Sequence, residues 1–207
     1  MEFAVCRWNG MMIRSPEISK LKTFVTFIPV CPEVETGLGA PRKPIRIVRD
    51  GDCDRLVQFE TGRDISSGMT RFCDSFLSSL SQLDGFILKA KSPSCGINDV
   101  KVYRSMEKEA ALTSRGSGFF GRAVTDRFHH LPIENEGRLT KLAIREHFLS
   151  SVFTLARFRK AVTTASMSAL VDFHAEHKLL FMAANQSLLR QMGKVVANHD
   201  GTPLAGV

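Results

Sequence analysis

The stretch Asp84-Gly85-Phe86-Ile87-Leu88-Lys89-Ala90-Lys91-Ser92-Pro93-Ser94-Cys95-Gly96 joins a short apolar run to a polar loop that contains a cysteine. An apolar run bounded by turn-forming residues predicts a strand over residues 84–89. Residues 24–30 predict an earlier buried strand that ends at Cys31. Because loops that leave the carboxyl ends of strands meet in one crevice of an open α/β sheet, we expect the Cys31 and Cys95 thiols to share one site.

The first two thirds of the chain alternate between strand and helix patterns. Residues 45–48 predict a third strand, and residues 68–83 carry apolar side chains at helical spacing. This alternation predicts an α/β fold, which we expect to be a Rossmann-like three-layer domain with a mainly parallel sheet.

The last third predicts helices only. Residues 140–162 and 168–197 are free of proline and carry apolar side chains at helical spacing, which is typical of helices that pack on each other. Proline and glycine punctuate residues 131–137, where the periodicity changes. The sequence therefore predicts an α/β domain over residues 1–131 and an all-α segment over residues 132–207.

Composition limits the class of protein. The chain of 207 residues is 43% hydrophobic and 24% charged, which is ordinary for a folded protein. No apolar run approaches the roughly 20 residues of a membrane span, and the N-terminus lacks a signal sequence, so we expect a cytoplasmic protein without a membrane partner. The net charge of +7 is compatible with a nucleic-acid partner. The lysines and arginines form no basic block, so this partner is not favoured.

The five cysteines favour metal chemistry over a disulfide framework, because their number is odd and their spacing is not dense. Thiolates are soft ligands for iron–sulfur clusters. Spacing alone leaves open that Cys31 and Cys95 are buried or incidental thiols, since neither belongs to a Cys-x-x-Cys pair. Cys53 lies in an acidic turn and is expected to be incidental, whereas Cys73 is expected to pack in or beside the core.

Two further motifs have simpler interpretations than a ligand site. His174 and His177 are one helical turn apart and are expected to form a helix surface or interface pair, because the sequence offers no third metal ligand. The segment Gly116-Ser117-Gly118-Phe119-Phe120-Gly121 has the spacing of a dinucleotide loop, but no strand is predicted before it. A tight turn that allows close backbone approach is the better interpretation.

Several segments match one family in order and spacing. They are Arg7-Trp8-Asn9-Gly10, Cys31-Pro32-Glu33, Glu35-x-Gly37-x-Gly39-x-Pro41-Arg42, Ile87-Leu88-Lys89-x-x-Ser92-Pro93-Ser94-Cys95-Gly96 and Gly116-x-Gly118-Phe119-Phe120. Over residues 5–125 the chain thereby resembles the thiouracil desulfidase family. The remainder resembles the helical domain often fused behind that module, through Pro132-Ile133-Glu134-Asn135-Glu136-Gly137-Arg138-Leu139, Arg145-Glu146-His147-Phe148 and Phe173-His174-x-x-His177-Lys178.

The resemblance implies a [4Fe-4S] cluster held by three cysteines, which removes sulfur from a thiolated pyrimidine such as thiouracil while water replaces it at carbon. Cys31 and Cys95 match two of the ligands. Glu33 is the expected base, with a turn carboxylate as the alternative. Ser92 and Ser94 are expected to bind the substrate or the cluster sulfurs.

Two further positions are expected to bind the substrate. Arg42 is a predicted contact for a substrate carbonyl, and the alternative is a plain glycine-rich turn around Gly37 and Gly39. Asn9 stands where the family has Asp, so a hydrogen-bonding role is expected there and proton transfer is not.

The chain departs from the family at its first ligand. The usual Ser-x-Cys-Leu-x-Gly turn and the strand before it would fall ahead of Met1, and helical domains of this kind usually continue with further helices, so we expect a chain shortened at both ends. Cys6 is a candidate substitute for the missing ligand, and the alternative is the additional cysteine that some relatives carry at this place beside the normal ligand. We expect an iron–sulfur desulfidase or an inactive remnant of one. The alternatives are a noncatalytic scaffold whose helical part contacts another protein and a binder of thiolated tRNA.

Overall fold

The computed structural model describes residues 3–107 and 110–197. The chain divides into two compact units, Met1–Phe148 and Leu149–Val207. The first unit holds all the strands of the described residues, and the second is helical. None of the helices in the described parts of the chain has the length and apolar character to cross a membrane. The predicted order, α/β followed by all-α, is confirmed.

The first unit consists of short strands and helices. Its strands are β1 (Arg46–Asp50), β2 (Cys53–Gln58), β3 (Arg63–Asp64), β4 (Phe86–Leu88), β5 (Val100–Tyr103), β6 (Leu112–Gly116) and β7 (Ile133–Asn135). Its helices are α1 (Pro16–Leu21), α2 (Pro32–Glu35), α3 (Ser66–Ser79) and α4 (Phe119–Arg127). A helix that begins at Leu142, α5 (Leu142–Thr163), leads into the second unit.

The strands form two mixed arrangements. Five of them lie in the order β3-β2-β1-β5-β6, and β4 pairs with β7 separately. The β1–β5 and β4–β7 pairs are parallel, whereas β1–β2, β2–β3 and β5–β6 are antiparallel. The short turn between β1 and β2 explains one antiparallel pair, because Gly51 has φ +60° and supplies the positive φ that tight hairpins need.

The pairing of β7 with β4 places residues 133–135 in the first unit. The compact first unit ends at Phe148, so it extends past the predicted boundary at residue 131 and includes β7 and the first turns of α5. The sequence pattern marks Pro132 and Gly137 but does not reveal that the strand β7 lies between them.

One core joins the strands to α3 and α4. Ile47, Leu56 and Val102 are fully buried on three neighbouring strands of the larger sheet, and Met69 and Val124 are fully buried on the two helices. Cys73 also lies in this core, as predicted. The helix predicted over residues 68–83 and the strands predicted over 45–48 and 84–89 are confirmed by α3, β1 and β4.

The strand predicted over residues 24–30 is absent. This segment is irregular, and Phe24 and Ile28 are 72% and 56% exposed. A strand needs a hydrogen-bonded neighbour, which an apolar run alone does not guarantee. The structure also contains β6 directly before Gly116–Gly121, so the prediction that no strand precedes this segment is wrong.

The second unit is a set of helices with an aromatic cluster. The helix predicted over residues 168–197 is two helices, α6 (Met167–Ala184) and α7 (Gln186–Val196). They separate at Asn185, whose side chain accepts a hydrogen bond from the Leu188 amide at 3.0 Å and caps α7. His177 is buried against Phe173, with ring centroids 4.4 Å apart.

Glycines on α4 allow close contact with the loop that carries Cys95. The amide of Gly118 donates to Gly96 O at 2.8 Å, and the amide of Gly121 donates to Ser94 O at 3.0 Å. A Cβ atom at Gly121 would overlap Gly96 O and lie 2.8 Å from Cys95 O. The predicted close backbone approach is therefore confirmed, and α4 fixes the position of this loop.

Replacing Gly121 by alanine tests this contact. We expect Gly121→Ala to lower the free energy of unfolding of the first unit by about 1–3 kcal/mol, because the backbone must move to admit the methyl group. Urea unfolding followed by the fluorescence of the single tryptophan, Trp8, measures the change.

The matched control is Gly68→Ala on α3, where nothing lies within 4 Å of the added Cβ. There the same substitution should stabilise the unit by about 0.5–1 kcal/mol. Equal effects at the two glycines would contradict the close approach of α4.

Candidate functional site

The Cys31 turn begins the site. Cys31 caps α2, and Pro32 at the first helical position fixes the direction of the turn. Cys31 O accepts the amides of Val34 at 2.9 Å and of Glu35 at 3.0 Å. The turn places Glu33 in the interior of the first unit, where the residue is only 9% exposed.

The Cys95 loop forms the second part of the site. Ser92 Oγ accepts the backbone amides of Ser94 at 3.2 Å and of Cys95 at 3.1 Å. The amide of Gly96 donates to Ser92 O at 2.8 Å. Such side-chain caps stabilise a tight turn, so Ser92 shapes the loop that presents Cys95.

Glu33 joins these two segments. Its Oε1 accepts hydrogen bonds from Ser94 Oγ at 2.9 Å and from Ser92 Oγ at 3.4 Å. Its Oε2 accepts from Arg42 Nε at 2.7 Å and also from Arg42 Nη2. Ser94 is fully buried, so the contact between its hydroxyl and Glu33 is shielded from water.

Arg42 joins a third segment to the same carboxylate. Its Nη2 donates to Cys6 O at 2.7 Å, and its Nη1 donates to Gly39 O at 2.6 Å. Of the five N–H groups of a guanidinium, at least four are therefore engaged by protein oxygens. The Arg42 side chain is 4% exposed, so the geometry fits orientation of Glu33 and Cys6 better than direct contact with a substrate.

The structure brings the thiols of Cys6 and Cys31 together. Cys31 Sγ lies 3.8 Å from Cys6 O. The interaction between the two side chains lowers the pKa of Cys6 and raises the pKa of Cys31. Burial also raises the pKa of Cys31.

Cys95 lies in a different electrostatic environment. Burial, followed by the negative charge of Glu33, raises its pKa to about 12. Cys6 and Cys73 contribute to the same upward shift of the Cys95 pKa. Ligation would require the Cys31 and Cys95 thiols to lose their protons, and metal loading should therefore release protons.

The other predicted residues lie at varied distances from this group. Asn9 is in an exposed turn, where its Oδ1 accepts the Met11 amide at 3.2 Å. Cys53 is exposed at the start of β2.

The sequence did not predict the Lys89–Glu136 ion pair as part of the site. Glu136 Oε2 also accepts the Ala90 amide at 2.7 Å, beside the Cys95 loop. The 46 residues between Ala90 and Glu136 give no sequence signal for this contact.

A family model described as 2-thiouracil desulfurase matches residues 1–136. This chain belongs to the 2-thiouracil desulfurase family. A solved [4Fe-4S]-dependent thiouracil desulfidase, TudS, is 28% identical, with a TM-score of 0.51 over 69% of this chain and 89% of that one. No match is found among curated proteins. The resemblance predicted over residues 5–125 is thus confirmed.

The cysteines of this 2-thiouracil desulfurase family member can be compared with the ligands that an iron–sulfur cluster requires. In the described parts of the chain, no three His, Cys, Asp or Glu side chains are grouped to bind a single metal ion. The thiolates that hold a cubane bind separate irons, so they lie farther apart than the ligands of one ion. Cys6, Cys31 and Cys95 supply soft thiol donors, none of them in a disulfide, so their chemistry suits a cluster although these side chains are not grouped as a ready ligand set.

The buried pair of Glu33 and Arg42 gives a stability prediction. We expect Arg42→Met to lower the free energy of unfolding of the first unit by about 3–5 kcal/mol, because it leaves the Glu33 carboxylate buried without its cation. Urea unfolding followed by Trp8 fluorescence measures this loss.

Lys43→Met provides the control at the next residue. Lys43 pairs with Glu60 at 2.8 Å in an exposed ion pair, so its loss should change the unfolding midpoint little. A similar response of the two variants would contradict a stabilising role for the buried pair.

Proposed function

We propose that this protein is an iron–sulfur-dependent desulfidase that removes sulfur from thiolated pyrimidines such as thiouracil. The observation that carries the proposal is the convergence of three cysteine segments on the Glu33–Arg42 pair in a member of this family. The similar solved protein, TudS, is a [4Fe-4S]-dependent thiouracil desulfidase. A protein that keeps thiols for this purpose needs a reducing compartment, so we place it in the cytoplasm.

Cys31, Cys95 and Cys6 are the residues proposed to hold the cluster. All three border Glu33 or its partner Arg42, and Cys31 and Cys6 are in direct contact. When bound, a cluster with three thiolate ligands offers one iron to a soft sulfur atom and polarises the carbon–sulfur bond. A noncatalytic scaffold would not need these thiols at one place.

The reaction exchanges the thiocarbonyl sulfur for the oxygen of water and releases hydrogen sulfide, so proton transfer is the task left to side chains. Glu33 Oε1 is the proposed proton acceptor. Ser94 Oγ is buried and donates to this oxygen at 2.9 Å, so it fixes the acceptor in place. The partly exposed Ser92 Oγ, 3.4 Å from the same oxygen, is placed to pass a proton from water to it. Ser92 holds the loop in shape and also lies within hydrogen-bond reach of Glu33.

Arg42 and Asn9 contribute in different ways to this proposal. Arg42 fixes Glu33 Oε2 and leaves Oε1 turned toward the serines. Asn9 remains a proposed hydrogen-bond partner of the substrate, since it lies in an exposed turn only three residues after Cys6.

Anaerobic reconstitution with iron and sulfide tests the function. We expect the protein to bind iron and to release sulfide from thiouracil. Cys31→Ala and Cys95→Ala should lose iron. Glu33→Gln should lower kcat per bound iron by roughly 10²- to 10⁴-fold, because it removes the proton acceptor. Iron analysis and a sulfide assay measure the two effects.

Cys53→Ala is the matched control, because Cys53 is an exposed cysteine on β2 outside the group of three. It should keep both iron and activity. Iron bound equally well by the Cys31 and Cys95 variants would overturn the proposal. Sulfide release from thiolated tRNA but not from free thiouracil would identify the polymer as the substrate instead.

A further inference from the structure

We propose that Cys6 and Cys31 form a reversible disulfide under peroxide, and that this bond prevents the cluster from assembling. The second part of this inference rests on the proposed function. The first part rests only on the arrangement of the two thiols.

The two cysteines are neighbours in the folded chain. Cys31 Sγ lies 3.8 Å from Cys6 O although the residues are 25 positions apart in the sequence. Both residues are partly exposed, so a small oxidant can reach them. A disulfide requires the two sulfur atoms to approach to about 2 Å, and the closeness of the two residues favours that approach.

The backbone around both residues is held in place. The Arg42 guanidinium binds Cys6 O, and the first turn of α2 holds Cys31 through the amides of Val34 and Glu35. The backbones of the two residues are thus held close together. Cys95 belongs to a loop ordered by Ser92 and α4, and its backbone amide donates to Ser92 Oγ at 3.1 Å.

The oxidation balances with hydrogen peroxide as the oxidant. One sulfur attacks a peroxide oxygen, the O–O bond breaks, and the products are a sulfenic acid and water. The second sulfur then attacks the sulfenic sulfur, the S–O bond breaks, and the departing hydroxide takes the thiol proton as water. Two thiols and one peroxide give one disulfide and two waters.

This bond would occupy two of the three proposed cluster ligands. A disulfide sulfur has no thiolate charge to offer iron, so the oxidised protein would have only Cys95 left at the site. A dithiol reductant would restore both ligands by thiol–disulfide exchange. The pair would thereby make cluster loading depend on the peroxide level.

The experiment uses the full chain with Cys53→Ser, which removes the exposed thiol on β2 and leaves four of the five cysteines. Metal-free protein is treated anaerobically with hydrogen peroxide, and the thiols are counted under denaturing conditions. We expect the count to fall from four to two. Peptide mapping without reductant should show Cys6 joined to Cys31 with the loss of two hydrogens.

Two variants distinguish oxidation of the Cys6–Cys31 pair from oxidation of the other cysteines. Added Cys95→Ser should leave the Cys6–Cys31 link intact, whereas added Cys31→Ser should abolish it. Stable sulfinic acid at Cys6 or Cys31, or links to another cysteine in their place, would overturn the proposal.

Iron uptake then tests the consequence. The peroxide-treated protein should bind no more iron than the Cys31→Ala variant, and dithiothreitol should restore uptake to the level of untreated protein. Equal iron uptake before and after oxidation would overturn the claim that the disulfide prevents the cluster from assembling. If the disulfide forms but the reduced protein binds no iron, the proposed disulfide is supported and the proposed function is contradicted.

Discussion

The guanidinium of Arg42 and the carboxylate of Glu33 pair where water hardly reaches, with 4% and 11% of their side chains exposed. Removing two charges from water is costly, and their attraction compensates only when the remaining hydrogen-bonding capacity is used as well. Here it is used: Ser92 and Ser94 donate to Glu33, while Cys6 O and Gly39 O accept from Arg42. The charged pair therefore ties together three segments that are distant in sequence.

The loop geometry on each side of this pair supports the arrangement. Gly37 and Gly39 adopt φ of +80° and +68°, which lets the chain return after α2 and bring Arg42 back to Glu33. On the opposite side, Gly118 and Gly121 bring the start of α4 against the Cys95 loop. Thiols in positions held this firmly lose little side-chain freedom on binding iron, which favours a preorganised cluster site.

Sequence patterns predicted a shared site for Cys31 and Cys95, and the hydrogen bond between Glu33 and Ser94 joins the segments that carry them. The expected physical reason was only half right. Cys95 follows β4, as expected. Cys31 follows no strand, because residues 24–30 are irregular, and it reaches the site through α2 and the Glu33–Arg42 pair. A pairing between charges nine residues apart depends on how an intervening turn folds, and a glycine-rich turn has too many conformations to be read from sequence alone.

Some of the other structural elements could be predicted from the sequence, and some could not. The apolar spacing of α3 and the proline-free pattern of α5 follow from burial of one helix face, so these elements were predictable. The break at Asn185 depends on a single capping side chain within a helical pattern, and β7 depends on a distant partner strand. The contact between Cys6 and Cys31 arises from Arg42 holding the Cys6 carbonyl, which no local pattern encodes.

An anaerobic crystal structure of the iron-loaded protein would test the central claim most directly, which is that the Glu33–Arg42 pair gathers three thiols around one cluster. The account predicts one cubane with Cys6, Cys31 and Cys95 on separate irons, a fourth iron without a cysteine ligand, and the hydrogen bonds between Arg42 and Glu33 intact. A cluster bound through Cys53 or Cys73, or one formed with Arg42 and Glu33 apart, would contradict it.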